Sequence, residues 1–400
     1  MTTAADLLTR TDRFGDASEL GPAIAAVLGK KPFSVTIERT HFPDSKPVQH
    51  VLRAKFADGS SEMVFAECCP VDAKIHADRV RASLTKRRNG QKAGFDSSAV
   101  VVAGTAGLVL RRPGLDERLP GLRLLHDRVF ACRAVETILG HDFGPLVTEL
   151  VAHRLGKRAV LRIRGAKLDL FVRLRTIKSG DGDARFNRHR ALWHSLSGQT
   201  DLRIPEPLGV LPEIGASFFD VLPGEPPCFE GSDTGVVARA IAALQALDPA
   251  GLPAHSGADE ARILFQWLGR CQDLRPELAR RITPGLTHLM AKLEQAANPP
   301  RPCHRDLHEK QILVSKGVAG FLDFDTLCLS DPALDVGNLL AHLFLAGQDE
   351  AQLRAEFDTP GISLWRGAAL YRLAMIYAFT MTAQADLDRL IEEADANAGN

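Results

Sequence analysis

The chain has 400 residues, and its Lys+Arg and Asp+Glu totals are equal at 49, so the formal net charge is zero. That balance gives no bulk field to draw nucleic acid or an anionic membrane, and 45% hydrophobic with 24% charged residues is ordinary for a soluble globular chain and not for a disordered one. The length exceeds what one core normally organises, so two or three domains are expected.

The first region runs to about residue 119. Residues 33–39 and 49–56 read as strands, and Asp58-Gly59 makes a hairpin turn into a third, 62–68. Residues 71–84 then have helical periodicity, followed by Lys86-Arg87-Arg88, which complements a helix C-terminus better than it makes a phosphate site. Two short strands, 98–103 and 108–111, precede the Pro/Gly-punctuated stretch 112–127, the natural linker. The next segment, 143–225, carries strands over 146–155, 158–164 and 168–176. The last of these alternates Leu168, Leu170, Val172 and Leu174 with polar positions. A polar loop, 178–183, and a helix, 186–196, follow. The order repeats that of 33–84, with HVLRAKF in the first region matching AVLRIRG in the second; an internal duplication would explain it, and so would the common likeness of any two three-strand-plus-helix units. A strand over 217–222 meets Pro223-Gly224. Beyond it, 236–247, 260–274, 276–295, 334–346 and 364–396 read as helices, with a strand pair at 311–315 and 319–323 among them.

The seven cysteines (Cys68, Cys69, Cys132, Cys228, Cys271, Cys303 and Cys328) are odd in number and form no CxxC pair, which suits reduced thiols in a cytoplasm. The first residues, MTTAADLLTRTDRFGD, contain acids and no long apolar core, so no secretory signal is read there. Apolar runs such as 339–345 are too short to span a bilayer. A soluble, cytoplasmic protein with no nucleic-acid or membrane partner is expected.

The chemistry concentrates in HRDLHEKQILV, residues 304–314, and FLDFDTLCLSDPALD, residues 321–335. Asp306 sits in a short polar turn, the amide of Gln311 follows five positions later, and Asp323 closes an apolar run. One carboxylate to orient a hydroxyl and two oxygen ligands to hold Mg²⁺ against phosphates is what phosphoryl transfer from a nucleotide needs. By strand alternation Asp325 would point to the same side as Asp323, as a second metal ligand or a structural acid. The competing class is a catalytically inactive scaffold that binds a ligand or protein.

These segments resemble the catalytic part of the aminoglycoside phosphotransferase and choline kinase superfamily, small-molecule kinases with the pattern H-x-D-x-H-x-x-N, then D-F-[DE] and G-D-P-x-x-D. The resemblance implies an α+β, protein-kinase-like bilobal fold, with a β-rich small lobe over 143–225 and a helical large lobe over 226–400. It leaves residues 1–119 as an additional N-terminal α+β domain and 120–142 as a linker and helix. It makes Asp306 the catalytic base, Asp323 the main Mg²⁺ ligand, and His304 and Asp335 the supports of the catalytic loop. Gln311 stands where the family usually has asparagine, similar to maltokinases, and its amide can still ligate the metal. Arg173, in FVRLRT, falls where the family places a phosphate-gripping lysine, with Lys178 and Arg175 as alternatives. The helix that follows, DARFNRHRALWHSL, has no glutamate for the usual ion pair. Phe219 and Val221 fall in the connector that would bind the adenine of ATP, or the base of GTP. The acceptor would be a small hydroxyl compound: a sugar, amino sugar, aminoglycoside or amino alcohol. Asp349, Glu350, Glu356 and Asp358 would line a pocket for a polycation; Trp267, Trp365 and Tyr371 would face a neutral sugar.

Overall fold

The structure is a computed structural model that describes residues 17–42, 47–69, 72–85, 99–103, 107–177, 181–248, 251–296, 298–379 and 384–399. Chain contacts divide it into two compact units. One comprises Met1–Phe186, Pro207–Asp220 and Phe379–Thr382; the other comprises Asn187–Glu206, Val221–Ala378 and Ala383–Asn400. The Lys86-Arg87-Arg88 cluster lies outside the described residues.

The first unit contains two five-stranded antiparallel sheets. After helix α1 (Ala17–Leu28) come β1 (Ser34–His41), β2 (Val48–Lys55) and β3 (Ser61–Cys68), then α2 (Ala73–Thr85), β4 (Val100–Ala103) and β5 (Leu108–Arg111). Their order in the sheet is β1-β2-β3-β5-β4. Period-2 patterning sets its inner face: Leu52, Ala54, Val64 and Ala66 bury against Leu20 and Ile24 of α1. At the β2–β3 hairpin Gly59 takes φ 81°, and the Asp58 carboxylate accepts from Ser60 N at 2.9 Å, so the Asp-Gly pair closes the turn as read from the sequence.

The second sheet repeats this plan. Helix α3 (Pro120–Leu124) is a single turn; α4 (Arg128–Leu139) precedes β6 (Val147–Arg154), β7 (Arg158–Gly165) and β8 (Leu168–Arg175). Then follow α5 (Asp181–Ser195), β9 (Leu202–Arg203), β10 (Pro207–Leu211) and β11 (Ala216–Asp220). The sheet order is β10-β11-β8-β7-β6. With β9 set aside, since it pairs elsewhere, both sheets consist of three sequential strands, a helix and two more strands, the last beside the third. In each, the leading helix lies against the first and fourth strands of its set. Register agrees as well: Leu52↔Val64 and Phe65↔Arg111 in the first sheet correspond to Leu161↔Val172 and Arg173↔Ser217 in the second.

The stretch 112–127 is not the exposed tether its prolines and glycines predict. Leu119, Leu122 and Leu125 are fully buried in the core of the second sheet, beside Leu161, Leu170, Val172 and Leu174. Apolar spacing outweighs the Pro/Gly punctuation here, because each leucine removes about 1.5–3 kcal/mol worth of surface from water. The same stretch joins the sheets through Asp116. Its carboxylate accepts from Gly156 N at 2.6 Å and from His153 Nε2 at 3.1 Å, while His153 Nδ1 accepts from Gly114 N at 3.1 Å. The β6–β7 turn therefore sits on the N-terminal sheet, with Leu155 packed against Val51 and Phe65.

The second unit is mostly helical: α6 (Asp233–Gln245), α7 (Gly257–Leu274), α8 (Pro276–Glu294), α9 (Ala333–Leu345), α10 (Ala351–Ala355), α11 (Ile362–Tyr377) and α12 (Gln384–Gly399). The single helix expected over 364–396 is thus two, α11 and α12, which pack side by side. Short strands are set among these helices: β12 (Arg301–Cys303) pairs with β15 (Cys328–Ser330), and β13 (Ile312–Ser315) pairs with β14 (Val318–Phe321), which also pairs with β9. Among the described residues no helix is long and apolar enough to cross a membrane. None of the seven cysteines is in a disulfide.

Candidate active site

The loop after β12 is held from behind at every turn. His304 is fully buried, and its backbone N–H and that of Arg305 both donate to the Asp335 carboxylate, each at 2.7 Å. Arg305 adopts φ 72°, a left-handed conformation that costs a non-glycine residue energy and persists only where its surroundings impose it. Two positions on, Leu307 is fully buried and its carbonyl accepts from Asn338 Nδ2 at 2.8 Å. Asp306, between these anchors, is exposed. A fixed backbone with a solvent-facing carboxylate is the arrangement required of a group that must meet a substrate hydroxyl.

The support continues inward. Arg372 donates to Asn338 Oδ1 and to Glu260 Oε1, and the other oxygen of Glu260 accepts from His255 at 3.0 Å. His255 N in turn donates to Leu329 O at 2.8 Å. Burial alone would raise the Glu260 carboxyl, but the Arg372 guanidinium and the His255 hydrogen bond hold it down at about 2. Asp335 behaves oppositely: complete burial pushes it up to about 7 despite its two backbone donors. Asn338, Arg372, Glu260 and His255 carry no sequence signal, since they lie on separate helices and loops and meet only in the fold.

Gln311 ends a 3-10 turn, Glu309–Gln311, and is 8% exposed. Its carbonyl accepts from Leu322 N at 2.9 Å, one step beyond the Ile312↔Phe321 pair, which brings it alongside the segment that carries Asp323. Its Oε1 is buried and accepts no hydrogen bond among the described residues. A buried amide oxygen left without a donor costs free energy, and a hard cation is a partner that would satisfy it. The donor set of one carboxylate and one amide oxygen therefore fits Mg²⁺.

Asp323 lies beyond the strand expected to hold it. β14 ends at Phe321, and Asp323 takes the left-handed conformation φ 64°, ψ 55° ahead of a second 3-10 turn, Phe324–Thr326. Strand alternation consequently does not relate Asp325 to Asp323, because Asp325 lies within that turn. What fixes the turn is the loop opposite: His304 Nε2 donates to Leu322 O at 2.7 Å, Thr326 Oγ1 donates to His304 O at 2.9 Å, and the Phe324 ring lies 4.7 Å from the imidazole.

Of the residues expected to hold nucleotide, Arg173 lies on the face of β8 opposite the fully buried Leu170, Val172 and Leu174, as its alternation requires. Its guanidinium stands 5.6 Å from the Phe219 ring, so these two come together on one sheet face. Val221 falls in the other unit, just past β11. Lys178 lies outside the described residues. The candidate acceptor residues fare differently. Trp365 is 3% exposed, and Tyr371 is fully buried with its hydroxyl on Asp395, so both are core. Glu350 pairs with the buried Arg366, and Asp349 accepts from Ala351 N at 2.9 Å.

A β-sheet lobe followed by a helical lobe that presents this loop is the arrangement of the protein-kinase-like phosphotransferases. The family model described as "Phosphotransferase enzyme family" matches residues 149–371, more than half of the chain, and the protein belongs to that family. No curated protein matches in sequence. Among solved structures, the chain is similar to the macrolide 2′-phosphotransferase of Brachybacterium faecium (19% identity, 66% of this chain and 97% of the other, TM-score 0.43). A spectinomycin phosphotransferase bound to ADP and spectinomycin matches at 10% identity over 68% and 98% of the two chains, with TM-score 0.48. The choline kinase of Cryptosporidium parvum matches at 11% identity over 63% and 88%, with TM-score 0.45.

Proposed function

We propose that the protein transfers the γ-phosphoryl group of ATP or GTP to a hydroxyl of a small molecule, with Asp306 as base and Gln311 and Asp323 holding Mg²⁺. The observation that carries this reading is the pairing of an exposed Asp306 on a rigid loop with a buried, unpartnered Gln311 Oε1 beside the Asp323 turn. Bound Mg²⁺ would neutralise charge on the phosphates. Asp306 orients the acceptor hydroxyl and takes its proton late, as the new bond to phosphorus forms. We assign the phosphate grip to Arg173, whose planar guanidinium can bind two phosphate oxygens at once. Asp325, without the strand argument, is left out of the ligand set. The test is a nucleotide-consumption screen with Mg²⁺ across sugars, amino sugars, aminoglycosides and amino alcohols, expected to find turnover that Asp306→Asn abolishes.

One observation favours a second reading, an inactive ligand-binding scaffold: the helix after β8 offers no glutamate to pair with Arg173. The two separate on binding. A catalytic protein gains thermal stability from Mg²⁺ with ATP or GTP and loses that gain in Asp323→Ala; absence of any shift in the wild type at millimolar nucleotide would favour the scaffold.

We further propose that the N-terminal sheet is a degenerate copy of the small-lobe sheet, supported by the shared strand order and register. Phe65 stands at the register position of Arg173. It is 1% exposed and meets the His153 ring edge-on at 4.9 Å. The copy has thus replaced a cation with an aromatic residue and covers that face with the β6–β7 turn.

A further inference from the structure

Three side chains with no part in the proposed phosphoryl transfer converge on one point of the catalytic lobe. His308 and Glu309 lie on the loop between Asp306 and Gln311, and His342 lies in the last turn of α9. Nδ1 of His308 is 3.9 Å from Oε2 of Glu309, and Nδ1 of His342 is 4.0 Å from the same oxygen. All three ligand atoms lie within 4.8 Å of one another, and the two imidazoles stack with centroids 4.9 Å apart. These separations are too long for direct hydrogen bonds. His308 Nδ1 and Glu309 Oε2 are nonetheless buried, and neither has a hydrogen-bond partner among the described residues. Lys310, 79% exposed, sits 3.6 Å from the other carboxylate oxygen and leaves Oε2 to the imidazoles.

We propose that His308, Glu309 and His342 form a binding site for a divalent transition-metal ion of the Zn²⁺ class. Two imidazole nitrogens and one carboxylate oxygen are the donors of an open tetrahedral zinc site, with a fourth position left to water. Bonds of about 2.1 Å in that geometry place ligand atoms about 3.4 Å apart, so the three need to draw together by only about 0.5–1.4 Å. Imidazole donors select such an ion over Mg²⁺, which prefers oxygen, so this site and the Gln311/Asp323 pair would not compete for one metal. The ion would tie the loop that carries Asp306 and Gln311 to α9. That helix already holds the loop through Asp335 and Asn338. Occupancy would therefore stiffen the loop without touching the substrate.

The test uses full-length protein stripped of metal with a chelator and titrated with Zn²⁺ alone against a chromophoric competitor. One equivalent is expected to bind the wild type and raise its melting temperature. His342→Asn and Glu309→Gln should each weaken binding by at least about tenfold, because each removes a direct ligand. Asp323→Asn should still bind one equivalent. The proposal is overturned if the wild type takes up no zinc, if both ligand variants bind as the wild type does, or if Asp323→Asn abolishes uptake. Should His342→Asn fail to fold, Glu309→Gln, on a short surface turn, decides alone.

Discussion

His304 donates from Nε2 to the carbonyl of Leu322 at 2.7 Å, so one hydrogen bond links the loop that carries Asp306 to the turn that carries Asp323. His304 is fully buried, and burial of the imidazole lowers its pKa and keeps it neutral. This is a positioning role. His304→Ala should cost roughly 2–4 kcal/mol, from the cavity and from a carbonyl left without its donor. Urea unfolding measures it; a loss below about 1 kcal/mol would mean that the two segments are held by other contacts.

Asp306 should be separable from binding. Asp306→Asn keeps the size of the side chain on an exposed turn, so fold and nucleotide affinity should persist while turnover falls by at least about a hundredfold. Nucleotide titration followed by steady-state assay distinguishes the two effects, and near-native turnover would remove Asp306 from the mechanism.

Gln311 offers a graded test. Asn keeps the amide but retracts it by about one methylene, roughly 1.5 Å, which is large against the narrow bond-length tolerance of Mg²⁺. Gln311→Asn should therefore raise the magnesium requirement and retain activity, whereas Gln311→Ala should lose far more. Identical magnesium titrations for all three proteins would show that the unpartnered oxygen holds no metal.

Much of this arrangement was legible in the sequence because its signals are local. Alternation over β8 placed Arg173 opposite the core, and the spacing within HRDLHEKQ set the loop. The supports were not legible. Asn338, Arg372 and Glu260 act through hydrogen bonds between segments up to 112 residues apart, which no local pattern encodes. Strand patterning reaches Asp323 because apolar Phe321 and Leu322 continue it, but the backbone turns left-handed at Asp323 into the Phe324–Thr326 turn, which His304 holds from the facing loop. The linker reading of 112–127 gave weight to its prolines and glycines and too little to its leucines.

Asp335 should give stability a distinctive pH dependence. Its folded pKa, about 7, lies above the ordinary 3.8, so the folded state binds its proton more tightly than the unfolded chain does. Its contribution is complete below about pH 4 and is lost as pH rises through about 7, by up to about 1.4 kcal/mol per unit between those limits. Asp335→Asn cannot titrate. The stability difference, wild type minus variant, should therefore shift against the wild type across that window; chemical unfolding at half-unit intervals measures it. A flat difference would mean that the two backbone donors of His304 and Arg305 keep the carboxylate ionised.

The β6–β7 turn supplies the last test, because its anchors lie in the first unit and far from Asp306 in sequence. Leu155 is 4% exposed and packs on Val51 and Phe65, while Asp116 receives the Gly156 N–H. Burial would raise the Asp116 carboxyl, but the His153 and backbone hydrogen bonds outweigh it and lower its pKa, so it stays charged at neutral pH. We propose that this turn, with its single Gly156, is what remains of the phosphate-covering loop that the family resemblance implies. If the N-terminal sheet holds it in place, loosening it should weaken nucleotide use and leave the chemistry of Asp306 alone. Leu155→Ala, expected to cost roughly 2–5 kcal/mol of stability, is too blunt by itself. Asp116→Asn is the sharper variant: it keeps shape, but Oδ2 accepts from both His153 and Gly156 while Oδ1 accepts from Arg118 N at 2.9 Å, and an amide has only one oxygen for these two places. The expected outcome is a raised KM for nucleotide with kcat within about twofold, since a turn that only grips phosphates adds binding felt equally in ground and transition states. Equal falls in kcat and kcat/KM would instead place the turn in the transition state. No kinetic change, with stability lost, would reduce the N-terminal sheet to a structural support.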